Sequence, residues 1–92
     1  MKNKIKQIML KIYTFPECPY CQELKSLLKK DDIEYDEVNV NLPENKVEFD
    51  TVCNVSKSNE VPIIKIDKQL FIPNVSFQSI PEAVLLVKKF LN

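Results

Sequence analysis

The chain contains no histidine, no glycine and no arginine. Without histidine, imidazole catalysis and imidazole metal ligation are excluded within this chain. Without arginine, no guanidinium fork can grip a carboxylate or phosphate in bidentate fashion. Without glycine, backbone positions at positive φ are expected to fall to residues such as Asn or Asp. Average usage would supply about six glycines in a chain this long. All 13 basic residues are lysine, and Ala83 is the single alanine. The missing types share G- and C-rich codons, which fits an A+T-rich genome. Long apolar runs are missing too: none approaches the ~20 residues of a membrane span.

What is present describes one modest α/β unit. The 92 residues suit a single domain, 1–92, with one small core. Basic and acidic residues balance at 13 each, so neither nucleic acid nor a membrane surface is expected as a partner. The N-terminal lysines precede an apolar stretch that Lys11 interrupts, and no small-residue cleavage site follows, so no signal peptide is expected. A cytoplasmic setting follows, where paired cysteines are more often catalytic or metal-binding than structural.

Hydrophobic alternation predicts a strand over residues 8–14, ended by Pro16. A helix is expected over 19–30, with Pro19 at its first position and Tyr20, Leu24, Leu27 and Leu28 on its apolar face. A second strand is expected over 33–40. A weaker helix follows over 43–54, its inner face carrying Val47, Phe49, Val52 and Cys53. Residues 61–66 and 69–72 read as a hairpin around Asp67 and Lys68. A last helix is expected over 80–91, opened by a capping box of Ser79 and Glu82. Its buried stripe is Ile80, Ala83, Val84, Val87 and Phe90. The order β-α-β-α-β-β-α implies a right-handed parallel crossover first, then a hairpin, in a four-stranded mixed sheet flanked by helices.

The chemistry concentrates in Cys18-Pro19-Tyr20-Cys21, where a strand gives way to a helix. At the cap, the sulfur of Cys18 meets free backbone N–H groups and the positive end of the helix dipole. Both favour thiolate over thiol, although Glu17 opposes them. Cys21 lies one turn on, facing the same side and deeper. The pair thus offers an outer attacking sulfur and an inner resolving one. A zinc site would need four ligands, and Cys18, Cys21 and Cys53 are the only soft ones. No metal is therefore assigned, and Cys53 is read as core filler.

These residues resemble the glutaredoxins. Cys18-Pro19-Tyr20-Cys21 is similar to the dithiol motif of that family, residue for residue. Val61-Pro62 stands where the family carries Thr-Val-Pro. The resemblance implies a thioredoxin-like fold and a cis bond between Val61 and Pro62. It further implies a thiol–disulfide oxidoreductase with no tightly bound cofactor and glutathione as co-substrate. Cys18 and Cys21 would be catalytic. Tyr20, Val61, Pro62, Asn74, Val75 and Lys57 would bind glutathione or a partner protein. The partners implied are glutathione and disulfide-bearing or glutathionylated proteins, ribonucleotide reductase among the candidates, met by a monomer.

The sequence departs from the family pattern on the glutathione side. The lysine usually found three residues before the first cysteine is Phe15. The usual Gly-Gly pair is Ile72-Pro73, the amides after it are those of Asn74 and Val75, and the Thr of Thr-Val-Pro is Glu60. Lys57 is the candidate replacement for the lost charge. One alternative is a redoxin dedicated to a single protein, with weak glutathione use. Another is an iron–sulfur cluster carrier, against which Pro19 argues. The third is a thioredoxin-like fold used only for protein contact.

Overall fold

The computed structural model describes residues 9–91. Its elements are β1 (Leu10–Thr14), α1 (Pro19–Lys30), β2 (Asp36–Asn39), a 3-10 turn (Pro43–Asn45), α2 (Lys46–Ser56), β3 (Ile63–Ile66), β4 (Gln69–Phe71) and α3 (Ile80–Leu91). The sheet order is β2-β1-β3-β4. β1 and β2 are parallel, and the β1–β3 and β3–β4 pairs are antiparallel. The expected element order and mixed sheet are both present.

Period-two alternation along the strands builds two cores. Leu10 and Ile12 of β1, with Ile64 and Ile66 of β3, face one side and pack with Leu24 and Leu28 of α1 and Ile80, Ala83, Val84 and Val87 of α3. Tyr13 and Ile63 face the other side, with Val38, Val52 and Ile72. Lys11 and Tyr13 both reach Glu48 of α2, at 2.8 and 2.7 Å. Burial and that carboxylate push the Tyr13 phenol above its ordinary range.

Several boundaries differ from expectation for identifiable reasons. Ile8, the expected start of the first strand, lies outside the described residues, and the strand begins at Leu10. The second strand starts at Asp36, not Ile33, because residues 32 and 33 close α1. Asp32 sits at φ 62°, its N–H donates to Lys29 O, and Ile33 N–H donates to Leu28 O at 2.9 Å. That is a Schellman closure with aspartate in the usual glycine position.

Asp67 and Asn74 also take positive φ, as the lack of glycine requires, but so does Lys57, at φ 62° after α2. The Lys57 N–H caps Cys53 O there. Val47 is not on the inner face of α2: it is 78% exposed, because Glu48 occupies the inward position beneath Lys11 and Tyr13. Cys53 is only half-buried. β4 ends at Phe71 because Ile72 N–H turns to Ser76 Oγ.

The cap of α3 is shifted by one residue. Glu82 N–H donates to Ser79 Oγ at 3.4 Å, but the Glu82 carboxylate accepts from Gln78 N–H, not from Ser79. Phe90 lies outside the buried stripe and stacks edge-on against Phe71, ring centres 5.4 Å apart.

Candidate active site

The parallel β1–α1–β2 crossover places the N-terminus of α1 at the end of β1. A turn closed by Cys18 N–H to Phe15 O leads into the helix. Cys18 is the N-cap, in extended geometry at φ −86° and ψ 111°, and Pro19 takes the first helical position. The Cys18 Sγ accepts the Cys21 N–H at 3.1 Å. Sulfur thus fills the capping role usually held by an oxygen, at the positive end of α1.

Cys21 is completely buried and Cys18 nearly so. Burial, reinforced by its hydrogen bond with Cys18, pushes the Cys21 thiol up to about 12. A backbone contact from Phe15 and the charge of Lys25 act in the opposite sense. Lys25 lies one turn beyond Cys21 and is held by Glu37 at 2.9 Å, while Thr14 donates to the same carboxylate oxygen. This knot ties α1 to β1 and β2.

The loop before β3 approaches from the other side. The Val61–Pro62 bond is cis, Pro62 is buried, and Val61 O stands 3.9 Å from Cys18 Sγ. Among the described residues, Val61 N–H makes no hydrogen bond. A cleft of about 300 Å³ opens here, lined by Tyr20 and Glu23 of α1, Val61 and Pro62, Pro73 and Asn74, and the first turn of α3 with its lead-in.

The expected site residues divide into two groups. Tyr20, Val61, Pro62 and Asn74 line this cleft, Cys18 adjoins it through Val61 O, and Cys21 is buried beside Cys18. Tyr20 does not share the buried face of α1 with Leu24 and Leu28: it is 64% exposed and lines the cleft. Lys57 and Val75 do not line the cleft. Lys57 caps α2 and Val75 is 71% exposed. The amides expected to be available for a ligand are used within the chain: Asn74 N–H donates to Phe77 O at 2.8 Å and Val75 N–H to Ile72 O at 3.3 Å. The Asn74 side-chain amide donates to Glu60 Oε1.

Sequence reasoning missed Glu23 and the Phe77–Pro81 wall. Glu23 follows Tyr20 at i+3, so it shares the face on which an exposed Tyr20 sits. Among the described residues no group of three or more His, Cys, Asp or Glu side chains could hold a metal ion. No helix among them is long and apolar enough to cross a membrane.

Residues 10–71 match the family model of the glutaredoxins. A glutaredoxin-like 8.6 kDa protein of the rubredoxin operon of Clostridium pasteurianum, itself uncharacterised, is 36% identical over 64 residues, covering 70% of this chain and 83% of that protein. A thioredoxin-like protein superposes with a TM-score of 0.66 at 20% identity, covering 90% of this chain and 99% of its own. A buckwheat glutaredoxin in complex with glutathione gives a TM-score of 0.55 at 16% identity, over 62% of this chain and 53% of that one.

Proposed function

The chain belongs to the glutaredoxin family, and on that premise we propose that it is a thiol–disulfide oxidoreductase acting by dithiol exchange, with Cys18 as nucleophile and Cys21 as resolving thiol. The observation that carries this reading is the cap: Cys18 Sγ accepts the Cys21 N–H at 3.1 Å, beside an open cleft, while Cys21 lies wholly buried behind it.

The Cys18 thiolate attacks one sulfur of a substrate disulfide, forming a mixed disulfide and expelling the other sulfur as a thiolate, which takes up a proton. Cys21 then loses its proton and attacks the Cys18 sulfur. The Cys18–Cys21 disulfide forms and the second substrate thiol leaves. Two electrons have passed to the substrate. An extended substrate segment pairs with the backbone of Val61, and Pro62 packs against the exchanging sulfurs. Glutathione, bound by the buckwheat relative, is the reductant that family membership favours for resetting the pair. A reducing cytoplasm suits such a cycle.

The test compares Cys18→Ser with Cys21→Ser in reduction of hydroxyethyl disulfide by glutathione. Loss of activity in the first and partial retention in the second are expected. Equal activity of Cys18→Ser and the wild type would overturn the assignment.

A second reading is favoured by the engaged amides of Asn74 and Val75 and by Glu60 on the Asn74 side chain. It is a redoxin that serves a protein such as ribonucleotide reductase, uses glutathione weakly and is recharged by a thioredoxin reductase. Reduction of the oxidised protein by thioredoxin reductase with NADPH, but not by glutathione with glutathione reductase, supports it; the reverse result removes it.

A further inference from the structure

We infer that the cleft beside Cys18 selects disulfides in protein segments that carry a lysine or arginine within about two residues of the half-cystine. This inference rests on the oxidoreductase reading and names its substrate class.

Among the described residues, Glu23 is the one carboxylate that lines the cleft, one helical turn from the exposed side chain of Tyr20. Across the cleft, Asn74 holds Glu60 by its side-chain amide at 3.3 Å, which keeps a second carboxylate at the rim. Glu17 precedes Cys18 directly. Among the described residues no lysine lines the cleft. The Lys25 ammonium is bound to Glu37, and Lys57 is not among the lining residues. Two carboxylates and an exposed aromatic side chain around one cleft are complementary to a cation on a long side chain.

An anionic tripeptide is correspondingly disfavoured, since the donors that would hold its carboxylates are engaged within the chain. The reach agrees with an extended peptide. Glu23 lies five residues beyond Cys18, about 7.5 Å along the helix axis. Two residues of extended chain span about 6.6 Å. A segment paired with the unbonded N–H of Val61 is thus long enough for a side chain two positions from its half-cystine to reach Glu23.

The test uses the reduced full chain and five pentapeptide probes of one sequence, differing only two positions from a central cysteine that is blocked as its 2-pyridyl disulfide. The variable residue is Lys, Arg, Gln, Asp or Glu. Attack of the Cys18 thiolate on the peptide sulfur joins the two, and 2-thiopyridone leaves and is followed by absorbance. At low ionic strength the Lys and Arg probes are expected to react about fivefold faster than Gln, and the Asp and Glu probes slower again. Salt at about 0.5 M should compress the series. Glu23→Gln combined with Glu60→Gln should bring the Lys-to-Glu ratio below about twofold. Glu34→Gln, beyond the opposite end of α1, should keep it. A wild-type ratio near one, or a ratio that survives the double substitution, overturns the inference. A protein that reacts with every probe at the rate of Cys18→Ser fails as an oxidoreductase, and the inference falls with that reading. Rapid reaction without charge ranking removes the inference alone.

Discussion

Asn74 donates its side-chain amide to Glu60 Oε1 at 3.3 Å, joining the loop after β4 to the loop before the cis Val61–Pro62 bond. These are two of the positions at which the family pattern would lead one to look for glutathione contacts. Here each satisfies the other. The backbone N–H of Asn74 is already given to Phe77 O. The cysteine pair and the positions expected to contact glutathione are therefore separable features of this chain.

Glu60→Thr, which restores the family's Thr-Val-Pro, removes the carboxylate and releases the Asn74 amide. The KM for glutathione in a glutathione reductase-coupled assay is expected to fall about fivefold, the scale of one exposed charge interaction. An unchanged KM would show that Glu60 does not govern glutathione use.

The second prediction follows from Cys21. Its thiol is held up to about 12, first by burial and then by Cys18. The folded state therefore keeps a proton that the unfolded chain releases near pH 9. The stabilisation is fully present below pH 9 and is lost as pH rises from there toward about 12. Between pH 8 and 10 the wild type should lose about 1 kcal/mol of unfolding free energy more than Cys21→Ala. Urea unfolding at the two pH values measures the difference.

Glu48 carries the third. Lys11, then Tyr13, hold its carboxyl below the usual range. A lowered folded-state value means stability present above the ordinary carboxylate range and lost as pH falls through the lowered one. Glu48→Ala should cost about 1–3 kcal/mol at pH 7, because the phenol of Tyr13 loses its acceptor. The same substitution should flatten the decline in stability between pH 5 and 3. Chemical denaturation across that range is the measurement.

Lys57 supplies the fourth. It caps α2 in the left-handed region at φ 62°, where a Cβ is unfavourable. Lys57→Gly should stabilise the protein by about 1 kcal/mol, read as a higher urea midpoint at unchanged slope. A lower midpoint would mean that the lysine side chain makes a compensating contact.

The elements with strong periodicity were legible from the residues. The bounds of α1 and α3 match expectation, because Pro19 and Ser79 mark their starts and their apolar spacing is regular. The start of β2 was not legible, because Ile33 reads as a strand residue by type and only the Schellman closure of α1 takes its N–H. The inner face of α2 was misjudged at Val47, since hydrophobicity alone could not reveal that Lys11 and Tyr13 require Glu48 underneath.

By itself the sequence determined that two cysteines one helical turn apart would share a helix N-terminus, because Pro19 and the strand-to-helix switch are local signals. It also determined that no imidazole or guanidinium takes part. Only the tertiary structure decided that Tyr20 stands exposed at a cleft with Glu23, and that Asn74 is bound to Glu60. Those outcomes depend on contacts between segments tens of residues apart. Burial and hydrogen-bond satisfaction are properties of the assembled chain, and no local pattern encodes which distant group will claim a donor first.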